Sequence, residues 1–118
     1  MKSIALGLVA LVALEHVWFM ILEMFLWRTE RGMKTFGTTR EYAEASATLA
    51  ANQGLYNGFL AAGLVWSLVS ANGHDLAIFF LACVIVAGLY GAATVKPVIA
   101  LIQALPAAVA LALVLMAW

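Results

Sequence analysis

The sequence predicts an all-α, polytopic membrane protein in which four transmembrane helices form an antiparallel bundle. Of its 118 residues, 66% are hydrophobic and only 10% are charged, whereas soluble domains are about 45 to 50% apolar and about 25% charged. So short a chain cannot bury that much apolar surface in a globule, because small domains leave much of their surface exposed. We therefore expect one membrane domain over residues 1–118, with the lipid bilayer as its surroundings.

Four apolar segments are long enough to cross a bilayer, which takes about 20 mostly apolar residues in a helix. They cover roughly residues 4–27, 44–70, 76–95 and 97–117. The first segment starts like a secretory signal peptide, with Lys2 before an apolar run. No small-x-small cleavage site follows that run, so we expect the helix to be retained.

Capping residues indicate where the second and third helices begin. Thr38 and Glu41 have the spacing of a capping box, which favours a helix start ahead of the second apolar segment. Asn72, followed by glycine, predicts a stop and a tight turn after that helix. Asp75 is then a suitable N-cap for the third helix.

Small residues recur at helical spacing on the second and third helices, where they allow another helix to approach closely in lipid. The second helix carries Ala50, Gly54, Gly58 and Ala62, and the third carries Ala87, Gly88, Gly91 and Ala92. These faces serve packing within the bundle or contact between copies in a homo-oligomer. On the fourth helix, Pro106 predicts a bend, because proline lacks the backbone donor and crowds the preceding turn.

Cationic residues are distributed unevenly between the two sides of a four-span protein. The connections at residues 28–43 and at Lys96 carry five cations, which are Arg28, Arg31, Lys34, Arg40 and Lys96, whereas the opposite side carries Lys2. By the positive-inside rule, both connections are cytoplasmic and both termini lie outside. Over the whole chain, six Lys and Arg balance six Asp and Glu, so we expect no nucleic-acid partner.

Ionisable residues inside a membrane helix cost roughly 2.5 to 3.5 kcal/mol to insert, and by default they indicate function. Glu15 and His16 lie near the middle of the first helix, and Glu23 follows His16 by nearly two turns on the same face. The other helices contribute polar side chains at compatible depths: Asn52, Gln53, Tyr56, Asn57, Tyr90 and Gln103. The sequence therefore predicts an intramembrane polar pocket whose candidates for ligand or proton binding are these nine residues.

Three roles fit such a pocket. The leading hypothesis is binding or transport of a small solute with proton coupling, in which Glu15 exchanges a proton for the ligand and the amides select it. Alternatively, a membrane enzyme acting on a lipid or isoprenoid would use His16 or Glu15 as acid or base. A purely structural polar network that fixes helix register is the third role. No cofactor or metal is predicted, since the chain has a single cysteine, Cys83, and lacks the Glu-x-x-His motif of diiron bundles.

Three stretches in which rare polar residues interrupt apolar helices resemble a known family. They run from Glu15 to Trp27, from Leu49 to Gly58 and from Val86 to Ala92. The sequence is similar there to the small bacterial membrane proteins labelled domain of unknown function 1304. The resemblance implies a four-helix protein of the bacterial inner membrane, and it supplies no catalytic residue.

Overall fold

The secondary structure of the chain consists of helices joined by turns and irregular connections. A computed structural model, which describes residues 1–118, is 86% helix. The elements are α1 (Lys2–Met24), α2 (Glu30–Phe36), α3 (Arg40–Val69), α4 (Gly73–Thr94), a π-helical turn (Ala100–Ala104) and α5 (Leu105–Ala117). Three of the four predicted helices thus correspond to one α-helix each, and the fourth corresponds to the π turn together with α5.

Three helical segments are long and apolar enough to cross a membrane. They are Lys2–Met24, Gly73–Thr94 and Ala100–Ala117. The 30-residue α3 is not among them, because Asn52, Gln53 and Asn57 lie in its middle and charged residues occupy its first turns. The chain is therefore a helical protein with three segments of transmembrane character, and the predicted four-span bundle is not confirmed.

The chain divides into two compact units, one made of Met1–Leu14 with Leu60–Trp118 and the other of Glu15–Phe59. The first unit, which we call the apolar unit, has a core of completely buried aliphatic side chains, among them Val9, Leu64 and Leu81. Small residues allow its helices to approach closely. A Cβ added at Gly88 of α4 would lie 2.7 Å from the backbone nitrogen of Ala104 in the π turn.

The second unit, Glu15–Phe59, contains the C-terminal part of α1, all of α2 and the N-terminal part of α3. We call it the polar unit. A Cβ at Gly54 would lie 2.7 Å from Cγ of Met24, and one at Gly58 would lie 2.8 Å from Sδ of Met20. These two glycines therefore confirm the predicted close approach at the small-residue face of α3, and the partner helix is α1.

The predicted capping box is wrong by one residue. Oγ1 of Thr39 accepts a hydrogen bond from the backbone N–H of Tyr42 at 3.1 Å, whereas Oγ1 of Thr38 is buried without a hydrogen-bond partner. At the start of α4 the N-cap is Asn72, with no side-chain hydrogen bond, and Asp75 lies inside the first turn. Helix α3 therefore begins one residue later than a cap at Thr38 would place it, whereas α4 begins three residues earlier than a cap at Asp75 would place it.

Pro106 is accommodated by a wider turn in the helix before it. Proline has no N–H to donate, and its ring crowds the carbonyl four residues earlier. The backbone N–H of Leu105 bonds instead to the carbonyl of Ala100, five residues back, which is π-helical geometry. A π turn at Ala100–Ala104 thus accommodates the proline, and the rest of the helical segment is continuous.

Candidate functional site

Glu23 is the centre of the hydrogen-bonded polar cluster in this protein. Its side chain is 3% exposed, near the end of α1. The side-chain amide of Gln53 donates to Oε2 at 2.5 Å, and the side-chain amide of Asn57 donates to Oε1. Gln53 and Asn57 are four residues apart and therefore lie on the same face of α3. We call Glu23, Gln53 and Asn57 the carboxyl–amide cluster.

The close packing of α1 on α3 places the cluster. Gly54 follows Gln53 in the sequence, and a Cβ at this position would lie 3.0 Å from Cβ of Glu23. The missing side chain lets the two backbones approach until short amide side chains reach the carboxyl group. The same small-residue face that packs the helices therefore also sets the length of the hydrogen bonds.

No cation accompanies the carboxyl group of Glu23. The ion pair between His74 and Asp75, at 3.4 Å, lies in the apolar unit, and no ion pair is formed by Glu23. Amide N–H groups are neutral donors, so they satisfy the oxygens without supplying charge. A buried carboxylate without a cation is costly, because its charge has left water and no opposite charge compensates for it.

Glu15 and His16 are placed differently, although they are neighbours in sequence. His16 is completely buried and its ring makes an edge contact with Phe19, with centroids 5.2 Å apart. Glu15 is half-buried, and its Oε1 is buried without a hydrogen-bond partner. Successive helix residues point about 100° apart, so the two side chains leave α1 in different directions. The amides of α3 bond to Glu23 and not to Glu15.

The remaining candidates lie outside the carboxyl–amide cluster. Asn52 and Tyr56 are exposed on α3, and the ring of Tyr56 lies 6.0 Å from that of Phe59. Tyr90 and Gln103 belong to the apolar unit, where Tyr90 is 71% exposed. The chain contains no group of three or more His, Cys, Asp or Glu side chains that could hold a metal ion. Of the nine predicted residues, the structure joins Glu23, Gln53 and Asn57 by direct hydrogen bonds.

A short helix that the sequence did not lead us to expect lies in the chain between Glu23 and the two amide residues of α3. Residues 28–43 were expected to form a linker, yet they contain α2 and the first turn of α3. Oγ1 of Thr29 caps α2 by accepting from the N–H of Gly32 at 3.2 Å, and Gly37 ends it with a positive φ of 67°. These N-cap and C-cap residues are the signals that could have revealed it.

The helix α2 is fixed firmly to the turn that follows α1. A Cβ at Gly32 would lie 2.0 Å from the carbonyl oxygen of Leu26, so only glycine fits at this contact. The indole N–H of Trp27 donates to Oγ of Ser46 at 3.1 Å, and its ring lies 4.8 Å from that of Phe36. The connection that follows Glu23 is therefore anchored by contacts of Trp27, Gly32 and Phe36.

Comparison with known proteins places this chain beside a family of unknown function and a relative of similar length. The profile of DUF1304, described as a protein of unknown function, matches residues 10–115. The uncharacterized protein YpaA of Lactococcus lactis subsp. lactis (strain IL1403) is 32% identical over 106 residues, which cover 87% of this chain and 89% of the relative. No solved structure matches the chain.

Proposed function

This chain belongs to the DUF1304 family, and we propose that it is a four-span membrane protein that binds and transports a small solute in exchange for a proton at Glu23. The observation that carries the proposal is the buried carboxyl group, held through both oxygens by neutral amides and paired with no cation. The apolar character of α1, α4 and the segment Ala100–Ala117 supports a membrane location.

The helix α3 is the fourth span in this proposal. Its 30 residues have a length of about 45 Å at 1.5 Å per residue, whereas the hydrocarbon core of a bilayer is about 30 Å thick. In the middle of α3, the amides of Gln53 and Asn57 are directed at Glu23. Polar side chains that pair inside the protein are the kind that membrane helices tolerate.

The orientation follows from the cations of the two connections. With four spans, residues 28–43 and the turn at Lys96 lie in the cytoplasm, and both termini lie outside. In a bacterium the membrane is then the inner membrane. Glu23, one residue before the end of α1, lies near the cytoplasmic end of its span and is reached from that side.

Exchange of a proton for a cation follows from the charge balance of the cluster. With a proton bound, Glu23 is neutral and donates through its own hydroxyl group. Without the proton, the carboxylate retains two amide hydrogen bonds and attracts a compact cation or a strong hydrogen-bond donor. A proton or a monovalent cation neutralises the single negative charge of this carboxylate by itself. Binding of the cation therefore releases the proton. Asn52 and Tyr56, exposed on the same helix, are further contacts for the solute.

Proton release on addition of a cation tests the proposal. Purified protein in weakly buffered neutral detergent is mixed with tetramethylammonium, guanidinium or urea, and a pH dye reports released protons. We expect about one proton per protein with at least one of the two cations and none with urea. In proteoliposomes, the same cation should drive proton movement that a dye inside the vesicles records.

The matched variants are Glu23→Gln and Glu44→Gln. Glutamine at position 23 has nearly the same shape and cannot release a proton, so the signal should disappear. Glu44 is exposed on the first turns of α3, and its substitution should leave the signal unchanged. Equal release from the Glu23→Gln variant would exclude Glu23 as the exchange site. A stable wild-type protein that releases no proton with either cation would favour the purely structural network.

A further inference from the structure

The connection after α1 has an exposed cationic face. Arg28 lies in the turn, and Arg31 and Lys34 lie three residues apart on α2; all three side chains are exposed. Residues three apart on a helix project from the same face. Within this stretch Glu30 is the only acidic residue, and none of the three cations forms an ion pair with an acid. We call Arg28, Arg31 and Lys34 the basic face.

The basic face is held in place from its other side. The glycine contact of Gly32 with the carbonyl of Leu26 and the ring contact of Phe36 with Trp27 anchor α2 through the face opposite the cations. Gly32 is buried and Phe36 is half-buried, whereas Arg31 and Lys34 are exposed. The cationic side chains therefore extend from a fixed helix rather than from a loose linker.

The basic face also lies at the end of a segment with transmembrane character. That segment ends at Met24, and α2 begins at Glu30. A chain that leaves the hydrocarbon core at Met24 reaches the headgroup region within the next few residues, because that region adds only about 5 to 8 Å on each side. Trp27, in the same turn, is a residue type that favours the interface.

We propose that Arg28, Arg31 and Lys34 form a binding site for the phosphate of an anionic phospholipid headgroup. Guanidinium groups suit phosphate because they donate two parallel hydrogen bonds, and a lysine adds a point charge. A fixed helix loses little freedom when the headgroup binds, which favours a defined site over diffuse attraction. The proposal depends on α1 crossing the membrane and is independent of proton exchange at Glu23.

Lipid-dependent stabilisation tests the site. Thermal unfolding of the purified protein is followed in neutral detergent with increasing phosphatidylglycerol, with phosphatidylcholine, and with inorganic phosphate. A ligand that binds only the folded protein raises its unfolding temperature, and at a given concentration the increase is larger for tighter binding. We expect stabilisation by phosphatidylglycerol alone. The double variant Arg31→Gln/Lys34→Gln should weaken the apparent affinity on the order of 30-fold, since each cation near a membrane contributes about fivefold.

Two controls separate a fixed site from general charge attraction. Lys2→Gln removes an exposed cation at the other end of α1 and should leave the affinity unchanged. Gly32→Val keeps every charge but displaces α2 from Leu26, so it should weaken binding as well. Equal stabilisation by the two lipids, or unchanged affinity in the double variant, would overturn the proposal. An equal loss in Lys2→Gln, or stabilisation by inorganic phosphate alone, would also overturn it.

Discussion

The two units of this protein both pack helices closely at small residues, but they differ in the polar side chains that they bury. In the apolar unit the buried side chains are aliphatic or small, and its one buried polar side chain, Ser67, bonds to the carbonyl of Leu64 on its own helix. In the polar unit both buried polar side chains are ionisable, His16 and Glu23, and Glu23 bonds to another helix. Close packing therefore holds the first unit together, whereas in the second unit hydrogen bonds between helices add to close packing.

Among the substitutions that test this comparison, the largest loss of stability is expected at Gly88 in the apolar unit. A Cβ there would lie 2.9 Å from Cβ and 2.7 Å from the backbone nitrogen of Ala104. Gly88→Leu should separate α4 from the π turn and lower the free energy of unfolding by about 3 kcal/mol, the upper part of the range for overpacking. Denaturation with a graded detergent series measures the change.

Gly7 provides the matched control, since a Cβ there would meet no atom within 4 Å. Gly7→Ala should leave stability unchanged or raise it slightly, because alanine suits a helix better than glycine. If Gly88→Leu costs no more than Gly7→Ala, then close packing at small residues does not hold the apolar unit together.

A smaller effect is expected when the carboxyl–amide cluster loses one donor. Asn57→Leu leaves Oε1 of Glu23 buried without its amide, and the cost should be about 2 kcal/mol, as for an unsatisfied buried acceptor. The double variant Glu23→Leu/Asn57→Leu should recover part of that loss, because replacing both partners by apolar groups removes the unsatisfied atom. A double-mutant cycle measures the coupling, and additive losses would show that the hydrogen bond contributes nothing.

The smallest effect concerns the start of α3, where Thr38 and Thr39 make a matched pair. Thr39→Ala removes the cap of the Tyr42 amide and should cost about 1 kcal/mol. Thr38→Ala should cost nothing, because Oγ1 of Thr38 is buried without a partner. Thermal unfolding of both variants under the same conditions measures the two losses of stability. A larger loss for Thr38→Ala than for Thr39→Ala would support the capping box that the sequence predicted.

Apolar runs were enough to locate four of the helices, because a membrane helix is marked by composition over about 20 residues. They do not show whether α3 crosses the membrane, since Asn52, Gln53 and Asn57 lower its hydropathy whether they face lipid or a partner helix. Short elements carry weaker signals. The seven residues of α2 were missed, although Thr29 and Gly37 mark its two ends.

The sequence selected polar residues in the helices as site candidates but could not show which of them bond to one another. Depth placed Glu15 at the centre of the hypothesis, whereas the hydrogen bonds of the structure are made by Glu23. Glu15 and Glu23 are eight positions apart, which turns the helix by about 80° beyond two full turns. Spacing did relate His16 to Glu23, and both are buried. The face of α1 that contacts α3 depends on the close packing at Gly54. That face cannot be deduced from the sequence of α1 alone.

The π turn at Ala100–Ala104 carries one residue more than an α-helical turn would need. An insertion of a single residue into an α-helix ordinarily rotates everything beyond it by about 100°, which would move Ala107, Ala110 and Val114 out of the core. Here the extra residue is confined to one wide turn. This segment is therefore the place where relatives can differ in length by one residue and still present the same face of α5, and alignments of the family should allow a gap there.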